Sequence, residues 1–235
     1  MNTKIGIIGA MDIEVNMLKS QLLNTTVTEK AGVTFIEGSL NGKNVVIAKS
    51  GVGKVNAALC TQLMITVFNA TCIINTGIAG AAAHGLKVQD IVLSTDAVYH
   101  DMNVVEFGYK ITEIPGMKCS CFPADTKMID AAQKAFDSLK EKEGHKLIKG
   151  RIASGDVFVA SKELKNTIIQ NCNPACVEME GAAIAHACYV NQIPYLIIRC
   201  MSDMADDNGE ESYSFNEEAA AVLSAALVKK TIELL

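Results

Sequence analysis

Short apolar runs along this chain alternate with longer stretches in which apolar residues recur every three or four positions. That alternation sets the expected order of elements. Lys4–Gly9 reads as a buried strand, followed by a helix that lines up Val15, Leu18 and Leu22 on one face. Val33–Gly38 and Lys43–Lys49 read as a hairpin across Asn41-Gly42, a pair suited to a type I′ turn. Val52–Phe68 reads as a helix, and Thr71–Thr76 and Asp90–Tyr99 as buried strands. Asp101–Thr126 carries Pro115-Gly116 and Pro123 and reads as a long loop. An amphipathic helix over Lys127–Glu143, a strand over Leu147–Ser154 and a helix over Ser161–Cys172 follow. The pattern closes with a strand (Ala175–Glu178), a helix (Gly181–Asn191), a strand (Pro194–Met201), a polar loop (Ser202–Ser214) and a last helix (Phe215–Leu234). Strands separated by helices predict an α/β fold: one domain over residues 1–235, with a mostly parallel sheet covered on both faces and a hairpin inserted.

Composition narrows the function classes. Of 235 residues, 49% are hydrophobic and 20% charged, so a sizeable core is available and disorder is not expected. A net charge of −5 argues against nucleic acid and anionic membranes as partners and favours small-molecule chemistry. The first apolar run, Ile5 to Met11, is too short to span a bilayer and reads better as a strand than as a signal-peptide core, so a cytoplasmic protein is expected. The eight cysteines form no matching C-x2-C pairs, and no metal or cofactor is expected. Cys119 and Cys121, in a polar loop, are the pair to test for reactivity.

Three glycine-rich turns invite phosphate readings that their spacing refuses. Gly6-Ile7-Ile8-Gly9-Ala10 lacks the G-x-G-x-x-G spacing, and Asp12 and Glu14 would repel a pyrophosphate. Ser50-Gly51-Val52-Gly53-Lys54-Val55 lacks the first glycine of a P-loop and its magnesium-binding hydroxyl. Thr76-Gly77-Ile78-Ala79-Gly80 reads as a third strand-end turn, open to close ligand approach but unspecific.

The acids say more. Glu178 and Glu180 lie in an otherwise apolar run at a strand-to-helix junction, the place where open α/β sheets bind ligands. Either acid could simply complement the dipole of the following helix. Glu14 and Asp203 stand beyond two other strands, so parallel neighbours would gather all four acids at one sheet edge, with Arg199 behind them. Crowded, partly dry carboxylates suit general acid and base work near neutral pH. Without a metal motif or a Ser-His or Cys-His pair, they suggest glycosidic bond cleavage. Phe158 could offer a flat surface for a base, or be an ordinary core aromatic.

Several segments together resemble the 5′-methylthioadenosine/S-adenosylhomocysteine nucleosidase family. They are Gly6–Met11 with Glu14, Ser50–Val55, Asn75-Thr76-Gly77, Tyr99-His100-Asp101, Phe107-Gly108-Tyr109, Ser154-Gly155-Asp156, Val177–Glu180 and Ser202-Asp203. The match runs in register from about Lys4 to the last helix. The resemblance implies a three-layer α/β sandwich of the nucleoside-phosphorylase type, a central mixed twisted sheet flanked by helices, in a homodimer that binds adenine nucleosides. It implies that Glu14 activates water, that Glu180 holds the ribose hydroxyls beside Met179, and that Asp203, steadied by Ser202, protonates purine N7. It further implies that Phe158 stacks on adenine, that the Val159 backbone reads its edge, and that Glu178 and Arg199 support the acids. Ile78, Ala79 and Gly80 would be among the substrate-binding residues. Met11, Val52 and Phe215 would line a 5′-alkylthio pocket, joined by Val104, Phe107, Tyr109 and Pro115 from the partner's 102–116 loop.

The family often carries serine where this chain has Ile78, which removes a hydroxyl near the ribose. A phosphorylase of the same fold would need cationic donors at the nucleophile, and the first strand-end loop offers acids instead. A non-catalytic nucleoside binder would have little use for both Glu14 and Asp203. The motifs do not rank methylthioadenosine, S-adenosylhomocysteine, 5′-deoxyadenosine and futalosine-type nucleosides.

Overall fold

In the computed structural model, which describes residues 3–142, 144–207 and 209–235, the chain forms a twisted mixed sheet with helices on both sides. Glu143, the expected end of the third helix, lies outside the described residues. The first half runs β1 (Lys4–Gly9), α1 (Asp12–Lys19), β2 (Leu23–Lys30), β3 (Val33–Leu40), β4 (Lys43–Lys49), α2 (Lys54–Thr66), β5 (Cys72–Ala81) and β6 (Ile91–Tyr99). The second runs β7 (Phe122–Pro123), α3 (Thr126–Ser138), β8 (Leu147–Ser154), α4 (Lys162–Cys172), β9 (Cys176–Glu178), α5 (Gly181–Asn191), β10 (Tyr195–Asp203) and α6 (Gly209–Glu233). Helices α2 and α5 pack together, and α6 packs against α1, α3 and the strands β5 and β10. No helix among the described residues is long and apolar enough to cross a membrane.

The sheet order is β10-β6-β8-β9-β5-β1-β4-β3-β2, and β10 also pairs with β5. Five strands therefore close into a ring, and β1, β4, β3 and β2 extend from it as an open sheet. Parallel and antiparallel pairs are mixed, because β3, β6, β7 and β9 run against a neighbour. Strand β5 is the pivot. Its first half pairs with β1 through Cys72–Asn75, and its end pairs with β9 at Gly80 and Ala81. Between them, residues 76–79 have no ladder partner on that side, and the sheet opens there into a crevice.

Local chemistry explains most boundaries. Asn41 and Gly42 both have positive φ, 50° and 77°, as a type I′ hairpin turn requires. Asp125 caps α3 by accepting from the Met128 N–H at 2.9 Å, and Ser161 caps α4 by accepting from Leu164 at 3.2 Å. Three expectations are corrected. Strand β2 was read as no element, because this sheet-edge strand is exposed along nearly its whole length and shows no apolar alternation. Strand β5 continues through the expected glycine turn to Ala81, with all of its residues buried. The last helix begins at Gly209 rather than Phe215, so Ser212-Tyr213-Ser214 is helix and not loop. The long 101–126 segment keeps its irregular character, broken only by a 3-10 turn at Val105–Phe107 and by β7.

Candidate active site

At the crevice lies a cavity of about 400 Å³, lined from the ends of β1, β5, β9 and β10. Glu14, the third residue of α1, folds back over the start of its own helix. One carboxylate oxygen accepts from the Ala10 and Met11 N–H groups at 2.6 and 3.0 Å, and the other accepts from the Ile78 N–H at 3.1 Å. The last bond uses a backbone donor in the unladdered stretch of β5. Burial pushes the Glu14 pKa up, while Arg199 and these three N–H groups pull it down.

Arg199 lies beneath the floor and is 1% exposed. Its guanidinium donates to Glu178, to Asn75 Oδ1 at 2.8 Å and to Glu180 at 3.5 Å, and it stands 3.8 Å from Glu14. One cation thus serves three buried carboxylates. Its own pKa rises, since those acids more than offset burial, which acts to lower it. Glu178 accepts from Ser154 Oγ and from the Glu180 and Gly181 N–H groups at 3.1 and 2.8 Å. It therefore caps α5 as well as binding Arg199, and it joins the dipole role to the support role. Glu180 accepts from the Gly53 N–H at 2.9 Å. Burial and the adjacent Glu178 raise its pKa to about 7, against the pull of Arg199.

Asp203, the last residue of β10, has a different environment. It accepts from Ser202 Oγ at 2.8 Å and from the Ala205 N–H at 2.7 Å. Burial raises its pKa; those two bonds lower it, and Lys165 lowers it only weakly. Phe158, 44% exposed, stands at the rim with its ring edge-on to Tyr213 at 5.6 Å.

Glycines make this packing possible. A Cβ on Gly77 would overlap both Arg199 Nη1 and Glu14 Oε1. One on Gly80 would come within 2.8 Å of Asp203 Oδ1. The strand end that reads as a turn is therefore a strand stripped of side chains so that three charged groups can lie across it.

A profile of the phosphorylase superfamily matches residues 4–233. A 5′-methylthioadenosine/S-adenosylhomocysteine nucleosidase of Psychromonas ingrahamii is 44% identical over 97% of this chain and 98% of its own length. The fold is similar to the crystal structure of the same-named enzyme of Colwellia psychrerythraea in complex with adenine. That match has a TM-score of 0.95, 40% identity and coverage of 100% of this chain and 96% of that one. The Neisseria meningitidis enzyme, in complex with methylthio-immucillin-A, also matches with a TM-score of 0.95, at 38% identity over 99% and 100% of the two chains. This chain belongs to the 5′-methylthioadenosine/S-adenosylhomocysteine nucleosidase family.

Of the residues expected in the nucleosidase site, Met11, Val52, Ile78, Ala79, Gly80, Val159 and Met179 line the cavity with the four acids, Phe158 and Ser202. Arg199 sits below it. Phe215 does not line it: its side chain is 88% exposed, and Tyr213 and Ser214 of the same helix face the cavity instead. Val104, Phe107, Tyr109 and Pro115 lie on the long loop away from this cavity, with Phe107 80% exposed. Sequence reasoning also missed how the remaining nucleosidase motifs act. Asp156 accepts from the Lys54 N–H at 2.8 Å, and Asp101 accepts from the Asp156 N–H at 3.0 Å and from the Lys54 ammonium. Those acids hold the start of α2, whose Gly53 N–H reaches Glu180. The signal was present in Tyr99-His100-Asp101 and Ser154-Gly155-Asp156, but it served only to mark the resemblance.

Proposed function

We propose that this protein hydrolyses the N-glycosidic bond of 5′-methylthioadenosine and S-adenosylhomocysteine, releasing adenine and the 5-thio-substituted ribose. The observation that carries the reading is the pair of buried acids, Glu14 and Asp203, lining one cavity with separate sets of partners. In this reading adenine lies against Phe158, with its edge on the Val159 backbone and N7 toward Asp203. The ribose rests on Met179 with its hydroxyls on Glu180, and the 5′ substituent passes Met11 and Val52. Asp203 delivers its proton to N7 as the C1′–N9 bond breaks, so adenine leaves neutral. Water adds its oxygen to C1′ and gives a proton to Glu14. Ile78 supplies a backbone N–H to Glu14 but no hydroxyl.

The working form in this reading is a cytoplasmic homodimer in which the 102–116 loop completes the neighbour's site. The exposure of Phe107 and of Val55 and Leu59 on α2 supports an apolar face that a second copy would cover.

A phosphorylase is disfavoured because the Arg199 charge is already shared among three carboxylates. Incubation with methylthioadenosine, with and without inorganic phosphate, tests the reading. Free methylthioribose at equal rates in both is expected. A sugar 1-phosphate that appears only with phosphate would assign a phosphorylase, and unchanged substrate would assign a binder.

A further inference from the structure

Tyr213 is the one aromatic wall of the cavity that the motifs did not mark, and its hydroxyl is not idle. It donates to Glu217 Oε1 at 3.1 Å, one turn further along α6, and lies 3.5 Å from Met11 Sδ. Its ring meets Phe158 edge-on. Tyr213 therefore spans from the base-stacking rim to the Met11 wall, and the half-buried Glu217, just outside the cavity lining, is tied to that wall through the Tyr213 hydroxyl.

We infer that the Tyr213–Glu217 pair is a specificity determinant that recognises an ammonium group on the 5′ substituent, as in the amino-acid tail of S-adenosylhomocysteine. The inference rests on the nucleosidase reading above. The Glu217 carboxylate accepts the phenol hydrogen bond on one oxygen and keeps the other as an acceptor for a cation. Burial and Glu217 both push the Tyr213 phenol above its usual range, so it remains a donor and fixes the carboxylate. A methylthio group has nothing to offer this pair. A tail ending in a lone carboxylate is repelled by it.

The test compares kcat/KM for S-adenosylhomocysteine and methylthioadenosine in the wild type, Glu217→Gln and Tyr213→Phe. Glu217→Gln keeps an acceptor for Tyr213 but removes the charge. It should lower the S-adenosylhomocysteine to methylthioadenosine ratio by about two- to fivefold, the range for a partly exposed charge pair. Tyr213→Phe should lower the ratio by less. A ratio unchanged in Glu217→Gln overturns the inference. A substrate-side measurement needs no variant: the 3-carboxypropylthio analogue, which lacks only the ammonium, should be several-fold poorer than S-adenosylhomocysteine on the wild type. Equal kcat/KM for the two would also overturn it. If the wild type cleaves neither natural nucleoside, the nucleosidase reading itself fails, which is a distinguishable result.

Discussion

The cavity lining holds buried carboxyls in two settings and treats them differently. On the floor, Glu14, Glu178 and Glu180 share Arg199, and Glu14 takes three backbone N–H bonds. In the other setting Asp203 has one hydroxyl and one backbone N–H, with no cation within ion-pair distance among the described residues. Burial raises the pKa of both Glu14 and Asp203; at Glu14 a guanidinium and three amides oppose it, and at Asp203 one hydroxyl and one amide do. The two acids differ in partners, and the proposed reaction assigns the base to the one with the guanidinium and the acid to the other.

The largest effect should come from removing either end of that division. Asp203→Asn and Glu14→Gln should each lower kcat by about 10²–10⁴-fold, measured as adenine release. Asp203 must be protonated to donate and its pKa is raised, so activity falls as pH rises through that value. In Asp203→Asn the alkaline limb of the rate profile should disappear, whereas a retained limb would assign it elsewhere.

Next in size is the loss of the shared cation. Arg199→Met leaves three buried carboxylates without their counter-charge and should destabilise the fold by about 3–5 kcal/mol in urea unfolding. The matching change in the other setting, Ser202→Ala, removes one hydroxyl from Asp203 and should cost only about 1 kcal/mol. Comparable losses would erase the distinction between the two settings. Gly77→Ala, which places a methyl where Arg199 and Glu14 meet, should cost about 1–3 kcal/mol, visible as a lower urea midpoint, and should slow turnover as well.

The last effect is a matter of pH. Glu180 binds its proton near pH 7 in the folded protein, against an ordinary value of 4.5. The folded state therefore holds more protons across that window, so this contribution is full below about 4.5 and is lost as pH rises through about 7. In Glu180→Gln the decline should flatten by on the order of 2 kcal/mol between pH 5 and pH 8.

The same contrast explains what could be read from the chain. The acids were conspicuous because charged residues are costly among apolar neighbours, and Asn41-Gly42 and the apolar runs marked the hairpin and most strands. Strand β2 left little trace because a two-sided exposed edge needs no apolar face. The true course of β5 was hidden because its glycines and alanines are selected by what lies across them, and those neighbours come from α1 and β10. Tyr213 was hidden by a helix start whose polar first turns look like loop. A periodicity argument sees one element at a time, and these features depend on two.

The cap that Glu178 places on α5 has a further consequence. The amides at a helix start, like the Ala10 and Met11 amides before α1, attract diffusible anions. Here both sets are taken by the chain's own carboxylates, Glu178 in one case and Glu14 in the other. The protein carries its anions as permanent tenants. A free phosphate arriving at the crevice meets seats already filled with its own sign of charge, while a neutral water molecule meets no such barrier.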